Sequence, residues 1–375
     1  MSTTRLRILL TTDAVGGVWT YSLDLARGLA RLEIETVLAI MGPPPSVVQK
    51  RAACAIPGLR LVDTGQQLDW LAGDAGEIER AGAAVAALAA EQAVDLVQLH
   101  APALASGIAF PAPVLAVVHS CLATWWDQVA GPNAPMPPEF AWRTDAVRAG
   151  LAAADLVVTP TAALGAMVQR CYGLAEAPQA VHNGRTPFPV GTQAPHDFIF
   201  TSGRLWDRGK NLAALDAAAG QIGVPVHAAG PLEGPQGEKI AFEHLNSLGT
   251  LDEAGIARWL AARPVFASVA LYEPFGLSVL EAAAAGCPLI LSDLPTFREL
   301  WEDVAIFVDP RDPVALARAC NDLVADDFER AVRGRAAMER AARFTPDAMA
   351  AQMASLYRRL LPSLRRPVLA ARAAA

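Results

Sequence analysis

Long apolar runs are missing from this chain of 375 residues. Nowhere do about 18 consecutive apolar residues occur, the length a helix needs to cross a bilayer. The apolar stretch at the N-terminus, Ile8 to Leu10, is far shorter than that of a secretory signal, so a cytoplasmic chain is expected. Basic charge is scarce as well: 31 Lys and Arg against 38 Asp and Glu give a formal net charge of −7. Such a chain has no general attraction for phosphate backbones, and nucleic acid is not an expected partner. The five cysteines (Cys54, Cys121, Cys171, Cys287 and Cys320) are scattered and form no C-x-x-C pair, which excludes a zinc ribbon or a dithiol redox motif. No D-x-D occurs, and no His, Cys and carboxylate cluster stands at metal-ligand spacing, so no metal and no cofactor are expected. The G-x-G-x-x-G fingerprint of a dinucleotide-binding dehydrogenase is absent too.

What is present describes a globular α/β protein. Hydrophobic residues make up 53% of the chain and charged residues 18%, enough apolar surface to bury and too little charge to stay unfolded. The length exceeds one core and suits two domains. Continuous apolar runs at 6–10, 36–40, 60–62, 94–99, 114–118, 156–159 and 180–181 read as strands of a buried parallel sheet. Helical patterns at 18–31, 77–91, 141–154 and 162–171 separate them. The segment HNGRTPFPVGTQAPHD, dense in Pro and Gly, is placed as the linker. The alternation then restarts, with strands at 197–202, 226–228, 265–267, 289–292 and 306–308, and helices at 211–219, 252–262, 277–285 and 313–323. Two doubly wound lobes facing one another leave a cleft at the carboxyl ends of both sheets, where ligands of such sheets bind.

The densest chemical cluster is ALYEPFGLSVLEAAAAGCPLILSD, residues 270–293. Glu273 stands just before a Pro- and Gly-containing helix start, and Glu281 stands inside that helix. A helix N-terminus offers unpaired N–H groups and a positive dipole to a diphosphate. Glu281 would then accept from a sugar diol such as a ribose, and Glu273 would reach hydroxyls on the far side of the phosphates. The alternative is that both acids only favour the helix N-terminus electrostatically.

This segment resembles the E-x7-E signature of retaining glycosyltransferases of family 4, which have the GT-B fold of two facing Rossmann-like lobes. FTSGRLWDRGKNLAALDAA resembles the same family's strand, Gly-Arg and Lys segment, with Arg204 and Lys210 as two cations; they could otherwise be surface salt-bridge formers. VHAAGP, LGTLDE and LPTFRELWEDVAIFVDPRDP are further family-like pieces. In TTDAVGGVWTYSLDLARGLA, Gly16 and Gly17 match a glycine-rich first turn that lets the backbone approach donor phosphates; a plain turn is the other reading. The resemblance implies donor contacts at Gly16, Gly17, Arg204, Lys210, Gly230, Phe275, Gly276, Leu277 and Glu281, and catalytic roles for His119, Glu273, Arg204 and Lys210.

By resemblance His119 ends a strand where the family usually has a cleft histidine near the transferring sugar, and His100 ends the strand before; for both, a solvated or capped strand-end group is the other reading. VHNGRTPF matches the interdomain V-x-N-G-x-D segment at Asn183 and Gly184, but Thr186 stands where the family commonly has Asp. Trp125 and Trp126 either stack on an acceptor or pack in the core or interface. The resemblance implies an acceptor-side domain at 1–184, a donor-side domain at 185–345, and a last helix within 346–375 that packs back on the first.

In MAAQMASLYRRLLPSLRR the residues Met349, Met353, Leu356 and Leu360 fall at helical spacing, beside the basic cluster Arg358, Arg359, Arg365 and Arg366. Packing is one reading of this tail and weak peripheral contact with the inner face of an anionic membrane is the other. The implied activity is metal-independent transfer from a UDP-, GDP- or ADP-sugar to a sugar, lipid or small-molecule hydroxyl. A sugar-nucleotide epimerase or hydrolase of the same fold, and a non-catalytic two-lobed binding protein, stay open as alternatives.

Overall fold

The computed structural model describes residues 5–131, 134–188, 196–235 and 237–361. The first lobe comprises β1 (Arg7–Asp13), α1 (Gly17–Arg31), β2 (Glu35–Met41), α2 (Val47–Cys54), β3 (Leu59–Asp63), α3 (Ala75–Glu91), β4 (Leu96–Leu99), β5 (Val114–Val117), α4 (Leu122–Val129), α5 (Ala141–Ala153), β6 (Leu156–Thr159), α6 (Ala162–Tyr172) and β7 (Gln179–Ala180). The second comprises β8 (Ile199–Ser202), α7 (Leu212–Ala219), β9 (Val226–Ala229), β10 (Asn246–Ser247), α8 (Glu253–Ala261), β11 (Val265–Ser268), α9 (Leu277–Ala284), β12 (Leu289–Ser292), α10 (Pro295–Trp301), β13 (Ile306–Val308), α11 (Pro313–Ala325) and α12 (Asp327–Ala341). A last helix, α13 (Pro346–Leu360), follows.

Among the described residues, the first sheet is parallel and seven-stranded, in the order β3-β2-β1-β4-β5-β6-β7, and the second is parallel and six-stranded, β10-β9-β8-β11-β12-β13. Strand order reverses between β1 and β4 in one sheet and between β8 and β11 in the other. A crevice opens at such a point because successive helices leave to opposite faces. This is the doubly wound pair of lobes that the alternation of runs implied.

The differences lie in short or polar elements. β1 continues through Thr11, Thr12 and Asp13, because Asp13 still pairs with Met41 of β2. Its two threonines are buried but satisfied, Thr11 Oγ1 accepting from His100 N at 2.8 Å and Thr12 Oγ1 from Ser22 Oγ at 3.1 Å. The helices α2, α4, α10 and α12 were not expected. Three of them have eight residues or fewer, too few turns to display a stripe. The signal for α2 was a local one: Ser46 and Gln49 form a reciprocal capping box.

α13 lies along α1, and the close approach requires glycine: a Cβ on Gly28 would stand 2.5 Å from that of Ala350. Met349, Met353, Leu356 and Tyr357 are buried in the core of the first lobe. The apolar face of the tail is therefore consumed by packing within the described residues, while Arg365 and Arg366 lie outside them. The described part of this helix ends at Leu360. No helix is long and apolar enough to cross a membrane among the described residues.

Candidate functional site

The carboxyl ends of the strands at both reversal points carry the candidate residues. Loop Asp13–Gly17 leaves β1, His100 follows β4, Arg204 follows β8, and Glu273 lies in the loop between β11 and α9. Gly17 and Leu277 begin helices from opposite lobes, and a Cβ on Gly17 would lie 3.4 Å from Leu277 Cδ1. Two helix N-termini thus converge, which concentrates unpaired N–H groups and positive dipole.

Neither glycine of the first turn is demanded by its protein neighbours. Gly16 has an extended φ of −143°, and a Cβ there would approach only Asp13 Oδ1, at 4.0 Å. The small residues leave room for a ligand instead. Asp13 Oδ1 accepts from Val15 N at 2.7 Å and Gly16 N at 2.8 Å, so a carboxylate holds amides of the turn. Gly276 and Gly230 differ. Gly276 adopts the left-handed region at φ 86° to start α9. A Cβ on Gly230 would fall 1.8 Å from Gly203 O, which explains that glycine by packing alone.

The turn after β8 places the cations. Leu271 N and Tyr272 N both donate to Gly209 O, at 2.8 and 3.2 Å, which brings the Lys210 turn beside Glu273. Lys210 Nζ donates to Glu273 Oε2, and both side chains line a small crevice with Gly203 and Ser278. Arg204 Nη2 donates to Asp207 Oδ2 at 3.0 Å while its side chain stays 55% exposed, leaving most of the guanidinium available. Phe275 is a core residue of the second lobe.

The two lobes also touch around Tyr272. Its hydroxyl meets Thr124 Oγ1 at 2.8 Å and donates to Ser120 Oγ at 3.3 Å. Ser120 and Tyr272 are the chain neighbours of His119 and Glu273, so these two candidates are brought to one region. The His119 ring packs edge-on to Tyr21 at 4.4 Å and to His100 at 5.0 Å. Its Nε2 is shut off from solvent with no hydrogen-bond partner among the described residues, and burial pulls its pKa down to about 4. His119 is a neutral imidazole at physiological pH with an unused ring nitrogen. His100 is satisfied: Gln98 Nε2 lies 2.7 Å from its Nε2 and Ser22 Oγ 3.3 Å from its Nδ1. Burial holds its pKa well below the ordinary histidine value.

The Glycosyltransferase Family 4 model matches residues 15–186, and the model described as Glycosyl transferases group 1 matches residues 196–326. The chain belongs to glycosyltransferase family 4. A phosphatidyl-myo-inositol mannosyltransferase of Mycobacterium leprae is 34% identical over 118 residues, covering 31% of this family 4 chain and 32% of that protein. A D-inositol 3-phosphate glycosyltransferase of Corynebacterium diphtheriae is 34% identical over 140 residues, 33% of each. The chain thus matches about a third of the length of these curated relatives. Two solved GT-B structures share the fold: sucrose-phosphate synthase of Thermosynechococcus elongatus, with TM-score 0.78, 22% identity, 96% of this chain and 100% of that one, and Anabaena HepE with UDP and glucose, with TM-score 0.69, 19% identity and the same coverages.

Several residues of this family 4 site carried no motif. Trp125 Nε1 reaches across the lobes to Asp207 Oδ1 at 3.1 Å, while Trp126 packs within the first lobe against Phe140. Both take the packing or interface reading. Asp207 also accepts from Gly209 N at 2.8 Å and so fixes the turn that carries Lys210.

The second cluster surrounds Arg185. It is buried and donates from Nε to Glu281 Oε1 at 2.8 Å, from Nη1 to Asp24 Oδ2 at 3.2 Å and from Nη2 to Glu253 Oε1 at 2.7 Å. Thr186 Oγ1 donates to Asp24 Oδ1 at 2.6 Å, which accounts for the departure from V-x-N-G-x-D. An Asp at 186 would set a second carboxylate against the buried one of Asp24. Gly184 is required where this segment passes the start of α13, since a Cβ would fall 2.1 Å from Thr345 O. Asn183 beside it is buried. The signals available were the Arg that follows Asn-Gly and the Asp that interrupts the apolar stripe of α1.

Proposed function

We propose that this protein is a retaining, metal-independent glycosyltransferase that moves a sugar from a nucleotide-sugar to a hydroxyl acceptor. The observation that carries the reading is the ion pair of Lys210 with Glu273 beside Arg204, at the junction of two helix N-termini from facing lobes. Fixed cations and N–H groups stabilise a diphosphate that gains charge as its bond to the sugar breaks, and being preorganised they cost no rearrangement at that moment. Lys210 and Arg204 take the diphosphate, with the N-termini of α1 and α9 completing the seat. Glu281 accepts from the nucleoside diol, and Glu273 accepts from hydroxyls of the transferring sugar.

The acceptor oxygen attacks the anomeric carbon from the face the diphosphate leaves. The C–O bond to the diphosphate breaks, a new C–O bond forms, and the acceptor proton passes to the departing phosphate oxygen. His119 is suited to a neutral hydrogen bond to the sugar rather than to proton transfer, because burial keeps it uncharged.

Relatives named for mannosyl and inositol-phosphate glycosyl transfer, and a neighbour of the same fold holding UDP and glucose, support a nucleotide-linked donor and a sugar or glycolipid acceptor. Domains at 1–184 for the acceptor and 185–345 for the donor, in a cytoplasmic protein, complete the proposal. Incubating the protein with UDP-, GDP- and ADP-sugars, with and without inositol phosphates as acceptors, tests it. Acceptor-dependent release of a nucleoside diphosphate is expected. Equal turnover without acceptor would favour a hydrolase or epimerase.

A further inference from the structure

We propose that Arg185 is a positioning residue for donor binding: anchored on Asp24 of the first lobe, it holds the Glu281 carboxylate by one oxygen and leaves the other for the donor. The inference rests on reading Glu281 as a donor contact.

Three separate nitrogens of one guanidinium serve three carboxylates in three directions. A lysine, a point charge on a flexible stem, cannot reproduce that fork. The anchor is rigid. Asp24 is fully buried and is itself held by Arg27 Nη1 at 2.9 Å and by Thr186 Oγ1. The backbone N–H of Arg185 is fixed on Phe344 O at 3.0 Å, and its guanidinium lies over the Phe188 ring at 5.2 Å. Glu281 Oε1 takes the Nε–H, whereas no described residue donates to Glu281 Oε2, and the side chain is 16% exposed. A carboxylate with one occupied and one unoccupied oxygen presents its acceptor in a fixed direction.

A plain tie between the lobes would need only Asp24 and Arg185. The bond to Glu281, inside the candidate donor helix, adds a consequence for ligand binding. The groups facing Glu281 are Arg185, Glu253 and Asp24, so Arg185 is the cation and the other two are acids. Burial raises the Glu281 pKa, and Arg185 opposes that rise. Without Arg185 the acid protonates more readily and loses its acceptor character.

The test is calorimetric titration with whichever of UDP, GDP or ADP binds the native protein, repeated from pH 6 to 8.5. The variants are Glu281→Gln, Arg185→Met, Arg185→Lys and the double variant Arg185→Met with Glu281→Gln. Glu281→Gln alone reports on the donor-contact reading: native affinity in that variant overturns the reading and this inference with it. If Glu281→Gln weakens binding, Arg185→Met is expected to weaken it by about tenfold to a hundredfold at pH 7, the scale of a hydrogen bond to a charged group. The loss should shrink as pH rises, and it should add nothing in the Glu281→Gln background. Arg185→Lys keeps the charge and the fold but lacks the fork, so it is expected to bind more weakly than native without the new pH dependence. It decides the matter if Arg185→Met fails to fold. Native affinity in Arg185→Lys or Arg185→Met, or losses that add to that of Glu281→Gln, would overturn the assignment.

Discussion

Lys210 and Glu273, 63 residues apart in sequence, form a hydrogen-bonded ion pair in which each is the other's charged partner. Both side chains are largely withdrawn from water, at 21% and 10% exposure. Removing one member leaves the other buried without its counter-charge, so substitutions at these two positions are coupled. The carboxylate holds the ammonium in the crevice that both side chains line.

Lys210→Ala is therefore expected to lower transfer by about a hundredfold to a thousandfold, and Arg204→Ala by at least about tenfold, because on the proposed reading each removes a charge aimed at the leaving diphosphate. Their stabilities should differ. Arg204→Ala breaks an i,i+3 pair on an exposed side chain, worth under about 1 kcal/mol. Lys210→Ala strands Glu273 and should cost about 1–3 kcal/mol. Thermal unfolding beside initial rates checks both, and near-native turnover in both variants would end the diphosphate assignment.

Glu273→Gln and Glu281→Gln should fail differently. Glu281 lies in α9 on the proposed nucleoside side, so its variant should weaken nucleoside diphosphate and donor binding together. Glu273→Gln should spare nucleoside diphosphate affinity and depress turnover at saturating donor, since a contact made in the transition state appears in kcat. Identical profiles would contradict the division of labour along this segment.

The half-buried His119 sets a stability window. The His119 pKa falls from its ordinary value to about 4 on folding, so between about pH 6.5 and 4 the unfolded chain binds more protons than the native one. Stability must therefore rise with pH across that window and drop on acidification. His119→Gln should shallow the dependence of Tm on pH between 6.5 and 4.5. An unchanged slope would show that the ring protonates freely in the folded protein.

Activity should persist in excess EDTA. On the proposed reading Arg204, Lys210 and two helix N-termini supply the positive charge that a divalent ion would otherwise provide, and among the described residues no three His, Cys, Asp or Glu side chains gather as a metal-binding group. Complete loss of activity restored by Mg or Mn would reveal a metal site in the working enzyme.

The sequence made the two sheets legible because buried parallel strands are continuous apolar runs that need no partner information to recognise. The segment from Glu273 to Glu281 was legible because loop, helix start and both acids are local in the chain. What joins the lobes was not. Asp24 and Arg185 lie 161 residues apart, and Trp125 and Asp207 lie 82 apart. Neither pair has a spacing rule, since only the fold brings its members together. Local oddities marked these places nonetheless: an acid within the buried stripe of α1, and Thr186 where the family pattern has Asp. Gly230 shows the converse limit, because matching a motif did not reveal that contact with Gly203 already demands a glycine there.

In the proposed reaction the cleft binds the diphosphate of a nucleotide-linked sugar through Lys210 and Arg204. Isothermal titration of UDP, GDP, ADP, glucose, mannose and inositol into the native protein and into Lys210→Ala tests it most directly. One nucleoside diphosphate should bind the native protein with one-to-one stoichiometry and bind Lys210→Ala at least about tenfold more weakly. Binding of a free sugar with none of the three nucleoside diphosphates bound would contradict the account and identify a two-lobed solute-binding protein instead.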